Sequence, residues 1–480
     1  MILAARHPAR MLLALILVAV AVLLASCDDS DVRSASGDRF RSPLGEVAVT
    51  EQPDGDPVEG YRALVNEAYV SCGMPYAAYT RVLGGVELAN ALPGREGRNA
   101  ELPYAMTAHV NDEGVEIVSN NCLTCHAAEI NGELIVGLGN EFGDFTTDPR
   151  RLTLQAGNFV RGEAETAAWA HWADRIEGIA PYIQTATVGV NPATNLTWAL
   201  MAHRDPETLE WSAEPLIEPP PREPLPVSVP PWWGMAKKNA MFYTTIGRGD
   251  HSRFMLLASM LCIEDEADVA EVTDYAADIR AYIASLEPPA YPFPIDAGLA
   301  AEGAEIYARD CSACHGTYGS DARFVNRVYG VEEVGTDAAY AMAATDGSRD
   351  RFFEWVAQSP YGDDRSTAPA PGYIAPPLDG VWATAPYLHN GSVPSMRALL
   401  SSRERPTFWR HRTEPREYVP EEMGWAHDAL PSGQADESDP AKRRRIYDTT
   451  LHGYGNGGHT YSDALGEEER EALLEYLKTL

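Results

Sequence analysis

The apolar residues of this chain fall into three kinds of stretch, each predicting a different element. Met11–Leu24 is an unbroken apolar run behind Arg6 and Arg10, too short for a comfortable membrane span and shaped like the core of an export signal. Residues 27–57 are rich in Ser, Asp, Gly and Pro with little apolar periodicity, which predicts a flexible tether. From Tyr61 onward the pattern turns helical through Leu64, Val65 and Tyr69, and again over Thr166–Ile179, Phe254–Cys262 and Asp278–Leu286. A last helix sets Leu473, Leu477 and Leu480 on one stripe, with Glu467–Glu469 in the first turn, where negative charge complements the helix dipole. Gly137–Phe145 holds too much glycine for a helix, and Glu218–Pro231 too much proline for helix or central strand. Strand signals are weak throughout. The fold class expected is mostly α with long ordered loops.

Two short stretches give this pattern its chemistry. Cys122-Leu-Thr-Cys125-His126 and Cys311-Ser-Ala-Cys314-His315 both read C-x-x-C-H, the attachment sequence of a c-type haem. Cysteines three apart present both sulfurs on one side of a helical turn, where they form thioethers with the two haem vinyl groups. The histidine that follows is then placed under the iron as its proximal ligand. A redox dithiol or half a zinc site accounts for one C-x-x-C, but not for two copies with the histidine in an exported chain. Two covalently bound haem c groups are expected, with Cys122, Cys125, Cys311 and Cys314 as attachment points and His126 and His315 as axial ligands.

The chain also repeats itself across Pro288–Pro294, a stiff linker that stops the helix before it. Gly114-Val-Glu-Ile117 precedes Cys122 by the interval at which Gly303-Ala-Glu-Ile306 precedes Cys311. Arg280–Leu286 matches Leu474–Leu480 in kind at nearly every position. Such a self-match marks an internal duplication. The expected organisation is a lipoprotein signal peptide over 1–26, a tether over 27–57, and two cytochrome c-like haem domains over 58–289 and 290–480.

The 70 acidic against 38 basic side chains give a net charge of −32, which argues against nucleic acid as a partner and suits docking to a basic redox protein. Leu24-Ala25-Ser26-Cys27 resembles a bacterial lipobox, in which Cys27 is lipidated; an ordinary secretory signal with an incidental cysteine is the alternative. Several acyl chains on Cys27 would anchor the protein stably to a bacterial membrane, on the periplasmic side or at the cell surface. Cys72 and Cys262 remain, as a disulfide suited to an oxidising compartment or as two buried free thiols.

Function turns on the sixth ligand, because a saturated iron transfers electrons while an open one binds O2 or peroxide. His459 lies in the flexible Gly455-Asn-Gly-Gly-His459 ahead of the last helix, and His389 in Ala385-Pro-Tyr-Leu-His389. For the first haem His251 and His109 are the weaker candidates.

Seven segments carry a resemblance: Ser71-Cys-Gly-Met-Pro75, Asn121–His126 with Asn131-Gly, Gly137–Phe145, Pro230-Pro-Trp-Trp233, Gly247-Arg-Gly-Asp250, Gly380–Ser392 and Gly455–His459. They resemble the dihaem cytochrome family that contains the bacterial rubber oxygenases, distant relatives of dihaem cytochrome c peroxidases and the MauG enzyme. The resemblance implies a bis-histidine second haem, with His459 opposite His315 and His389 near a haem edge, orienting rather than ligating. It implies an open first haem beside a phenylalanine, for which Phe242 is the nearest match and Phe254 the alternative. Trp232 or Trp233 would lie between the haems as an electron relay or as plain aromatic packing, and the peroxidase relatives bring a calcium ion into view. The chain looks shorter than a rubber oxygenase and begins with a lipobox, so the fold can carry over while the substrate does not. The expected function is an oxidoreductase that activates O2 or peroxide at the N-terminal haem, with a redox protein or a small-molecule oxidant as partner. The alternative is a purely electron-transferring cytochrome with both irons six-coordinate.

Overall fold

Two helix pairs carry the architecture of this computed structural model, which describes residues 44–84, 91–343, 345, 347–362, 371–413 and 416–480. The signal peptide, Cys27 and the tether up to residue 43 lie outside the described residues. In the first pair Pro57–Asn66 packs along Glu266–Ser285, and in the second Ala297–Asp310 packs along Glu467–Leu477. Aspartates start three of these helices: Asp56, Asp265 and Asp296 each accept hydrogen bonds from two backbone N–H groups of the first turn. Such caps satisfy donors that the helix itself leaves unpaired.

Each pair is closed by a glycine. A side chain at Gly60 would collide with the carbonyl of Asp278, and one at Gly303 with that of Ala472, so the backbones meet directly. A tyrosine pair flanks each crossing, Tyr61 with Tyr282 at 5.2 Å between ring centroids and Tyr307 with Tyr476 at 5.1 Å.

This corrects one element of the repeat. Gly114–Ile117 does not correspond to Gly303–Ile306, because it forms the turn and strand of a hairpin in which Met106–Val110 pairs with Glu116–Asn120. Met74–Pro75 adds a third strand to that hairpin. Pro57–Asn66 packs on its partner helix as Ala297–Asp310 does on its own, and the three-stranded sheet lies between it and Cys122 in the chain. Helix makes up about 39% of the described residues and strand about 13%, the strands being short and scattered over five small sheets.

The tether is also corrected over its last residues. Gly45–Glu46 pairs antiparallel with Arg327–Val328, and Val47 is 2% exposed. The Gln52 amide donates to the Gly249 carbonyl at 2.8 Å. Free strand edge and one apolar side chain are enough to order a stretch whose composition is that of a linker. From residue 44 on, the described residues pack as one compact unit. Packing is continuous across residue 290: Leu138 and Trp233 share an apolar core with Trp382, Leu473 and Leu477.

Candidate haem-binding sites

Both C-x-x-C-H motifs form a single helical turn. The N–H of His126 bonds to the Cys122 carbonyl at 3.1 Å, and that of His315 to the Cys311 carbonyl at 3.0 Å. None of the four cysteines is in a disulfide. Burial pushes Cys122 up to about 12 and Cys125 to about 11, opposite to the depressed values of redox dithiols. Among the described residues no group of three His, Cys, Asp or Glu side chains is placed to hold a metal ion, so neither the zinc reading nor a carboxylate calcium cluster has its ligands.

The two motif histidines each have a proline carbonyl nearby. His315 Nδ1 lies 2.8 Å from the Pro376 carbonyl, which fixes the proton on Nδ1 and leaves the Nε2 lone pair free to bind a metal. Burial lowers the pKa of His126 to about 4, and the Pro230 carbonyl partly offsets this, although it falls outside strict hydrogen-bond geometry with Nδ1.

The two prolines open loops of the same build. Pro230 answers to Pro376, the 3-10 turn Met235–Lys237 to Val381–Ala383, the bridge Met241–Gly247 to Tyr387–Val393, and left-handed Phe242 (φ 65°) to left-handed Leu388 (φ 68°). Tyr243 and His389, the next residue in each loop, meet with ring centroids 6.4 Å apart.

The surroundings of the two histidines differ. His126 opens into a largely apolar cavity of about 1500 Å³, above the roughly 300–1,000 Å³ of ordinary ligand pockets. Phe242, Trp232, Met235, Met241 and Met255 line it, and His126 is the only histidine among the described residues that do. Trp232 stacks on His126 with centroids 4.7 Å apart. A Cβ on Gly247 would sit 3.0 Å from the Phe242 ring, so glycine there keeps that ring in place. Phe254 lines the cavity too.

His315 instead faces His459, with centroids 6.1 Å apart and planes at 66°. Two imidazoles bound trans to one metal at about 2 Å, each with a ring radius of about 1.2 Å, have centroids about 6.3 Å apart. The observed 6.1 Å is close to that spacing. Burial and the neighbouring His315 lower the pKa of His459 to about 3, so it is neutral, as a metal ligand must be. His389 is enclosed differently: Tyr373 stacks on it at 4.2 Å and its Nε2 meets the Tyr373 hydroxyl at 3.1 Å.

The remaining candidates separate. Trp233 points away from its neighbour Trp232, into the core of the C-terminal half, and donates from Nε1 to the Asp379 carbonyl at 2.7 Å. Cys72 and Cys262 form a disulfide, and Cys72 lines the cavity. His109 bonds to the Ser71 carbonyl, and neither it nor His251 lines the cavity. Sequence reasoning missed the roles of Pro230 and Pro376, although both stand in visible Pro-Pro pairs, and it missed Lys238 and Arg405, which carry no local signal.

Residues 372–410, which supply Pro376 and His389, match the family described as RoxA-like, cytochrome c-like. The chain therefore carries a cytochrome c-like domain, which implies covalently bound haem c and supports the resemblance to the rubber-oxygenase cytochromes. Two relatives come from Sinorhizobium fredii. The chain is similar to the uncharacterized protein y4iJ, at 33% identity over 41% of this chain and 41% of the relative. It is also similar to the uncharacterized protein y4iM, at 29% identity over 41% of this chain and 52% of the relative. The matches thus span about half or less of the length of these curated relatives.

Proposed function

We propose that this chain is an exported, lipid-anchored dihaem c-type cytochrome oxidoreductase built from two haem domains related by duplication. The observation that carries this reading is the inequality of the two histidine sites: His315 faces a second histidine, whereas His126 faces a large apolar cavity with no other histidine in its wall among the described residues. A haem with an open sixth position supplies activation of O2 or peroxide. In this reading His126 holds the first haem, Phe242 borders its distal side, and the apolar wall excludes water and admits an apolar substrate. His315 and His459 hold the second haem as an electron-transfer centre, and His389 stays among its tyrosines beside it. In this reading Trp232, stacked on His126, and Trp233, in the adjoining core, relay electrons between the sites.

One observation favours the electron-transfer alternative. Met235, Met241 and Met255 line the cavity, and a thioether from any of them would make both irons six-coordinate. Optical and EPR spectra of the oxidised and reduced protein, with and without CO, separate the readings. One high-spin haem that binds CO beside one low-spin haem is expected. Two low-spin haems with no CO shift sink the enzyme reading.

A further inference from the structure

Lys238 follows the 3-10 turn Met235–Lys237 in the wall of the cavity at His126. Among the described residues no carboxylate lies within ion-pair distance of its ammonium, and no acceptor takes a hydrogen bond from it. Its neighbour Lys237 is different, being paired with Asp379 at 2.5 Å. The charged groups that act on the adjacent His251 are Lys238, Arg280 and Asp250, of which only the last is negative, and Asp250 lies 3.6 Å from Arg253. Arg151, Arg222 and Arg351 also line the cavity, but the first two are exposed and Arg351 is paired with Glu218 at 3.0 Å. Among the described residues Lys238 is the lining cation that is neither exposed nor ion-paired. Burial lowers its pKa to about 8, so at neutral pH it still carries a charge that no described residue pairs with.

The position of Lys238 along its segment says what should neutralise it. Pro230 and Trp232 lie against the His126 imidazole, and Phe242 borders the cavity further along the same segment. Lys238 lies in this segment between Trp232 and Phe242 and lines the same cavity as His126, so a flat group held at His126 would share the cavity with its ammonium. We propose that Lys238 is a carboxylate subsite of this cavity, taking either a propionate of the haem attached at Cys122 and Cys125 or the carboxylate of an apolar acid that enters beside it. This rests on the haem-cavity reading above, though not on an open sixth position.

The test uses the full-length protein carrying both haems, with Lys238→Met and Lys238→Arg, and reads both midpoint potentials and the optical change on titration with laurate. A cation beside a haem disfavours the ferric form, so its removal lowers the potential. If the ligand is a propionate, Lys238→Met lowers the potential of one haem, leaves the other unchanged, and Lys238→Arg restores it. If the ligand is an entering acid, both potentials hold and the laurate response weakens at least tenfold in Lys238→Met but not in Lys238→Arg. Unchanged potentials with an unchanged or absent laurate response overturn the proposal. So does failure of both variants to load two haems; loading by the arginine variant alone supports it. Absence of CO binding with a potential shift intact would remove the enzyme reading and leave the subsite standing.

Discussion

His459 presents its imidazole to His315 from a left-handed backbone conformation, φ 46°, with its N–H held by the Val334 carbonyl at 2.7 Å. Three more carbonyls of its loop are gathered by one side chain. Arg405 donates to the carbonyls of Asn456 at 2.8 Å, Gly458 at 2.7 Å and His459 at 3.1 Å. Gly458 is pressed against the backbone of Gly335 and Thr336, where any side chain would collide. A residue that is not glycine in the left-handed region is held there by its surroundings, at a cost of about 1–3 kcal/mol. With His459 as the proposed sixth ligand, His459→Ala should convert one low-spin haem to high spin in the EPR spectrum. Arg405→Met, which keeps bulk but frees the loop, should give a mixture of spin states. A spectrum that changes with His389→Ala and not with His459→Ala would assign the ligand to the wrong histidine.

The glycine crossings give a second prediction. Gly60→Ala and Gly303→Ala each place a methyl group where a carbonyl of the partner helix now lies. Overpacking of this kind costs about 1–3 kcal/mol. The two crossings lie in separate helix pairs, so the double variant should lose about the sum. Denaturant unfolding of the haem-loaded protein measures it. A wild-type midpoint in either single variant would show that the helices can part without cost.

How much of this was legible follows from how local each feature is. The C-x-x-C-H turns read directly, because ligand spacing and helical pitch are properties of five residues. The helix Gly162–Ile179 and the closing helix Glu467–Leu477 also follow from their apolar spacing. The helix Pro57–Asn66 was legible from Tyr61, Leu64 and Val65, but its likeness to Ala297–Asp310 was not, because the interval to Cys122 pointed to Gly114–Ile117, which lies in a hairpin. The hairpin itself hides because Thr107, Ala108 and Ser119 dilute the alternation that marks a strand. Val47 shows the reverse failure, a linker composition ordered by a strand edge that only the fold creates. The cavity, Lys238 and the Arg405 clamp depend on segments far apart in the chain, and no local pattern announces them.

Two carboxylates predict opposite responses to pH. Burial raises the pKa of Glu264, but His171 and Arg175, 3.2 and 2.8 Å away, and the charge of Arg204 outweigh it and bring the value to about 2. Its folded value lies below its ordinary one of about 4.5, so its contribution is complete above that pH and lost as pH falls toward 2. Glu264→Gln should therefore flatten the acid limb of the stability curve. Glu141 is 4% exposed, and burial raises it well above 4.5 although the Ser228 hydroxyl at 3.4 Å works the other way. Its second oxygen has no partner. Here the folded state keeps a proton that the unfolded chain releases, so stability falls as pH rises above about 4.5. Glu141→Gln should gain on the wild type between pH 5 and pH 8 in thermal unfolding. An equal offset at the two values would mean that Glu141 keeps an ordinary pKa.

The Cys72–Cys262 bridge joins positions 190 residues apart and fastens the strand Met74–Pro75 to the end of the 3-10 turn Leu257–Leu261, beside the cavity. Most of its effect should act on the unfolded chain, whose freedom it restricts. Loops of this order are stabilised by about 2–4 kcal/mol, with chain-entropy values near 5. Its role is separable from haem binding, because the C-x-x-C-H cysteines are distinct and none of them pairs with it. The double variant Cys72→Ser, Cys262→Ser should therefore still load two haems, judged by the reduced haemochrome spectrum. It should lose about 2–4 kcal/mol in guanidinium unfolding, and reductant should reproduce that loss in the wild type and do nothing to the variant. A loss below about 0.5 kcal/mol, the scale of an ordinary surface substitution, would mean that the surrounding core already holds these segments together without the bridge.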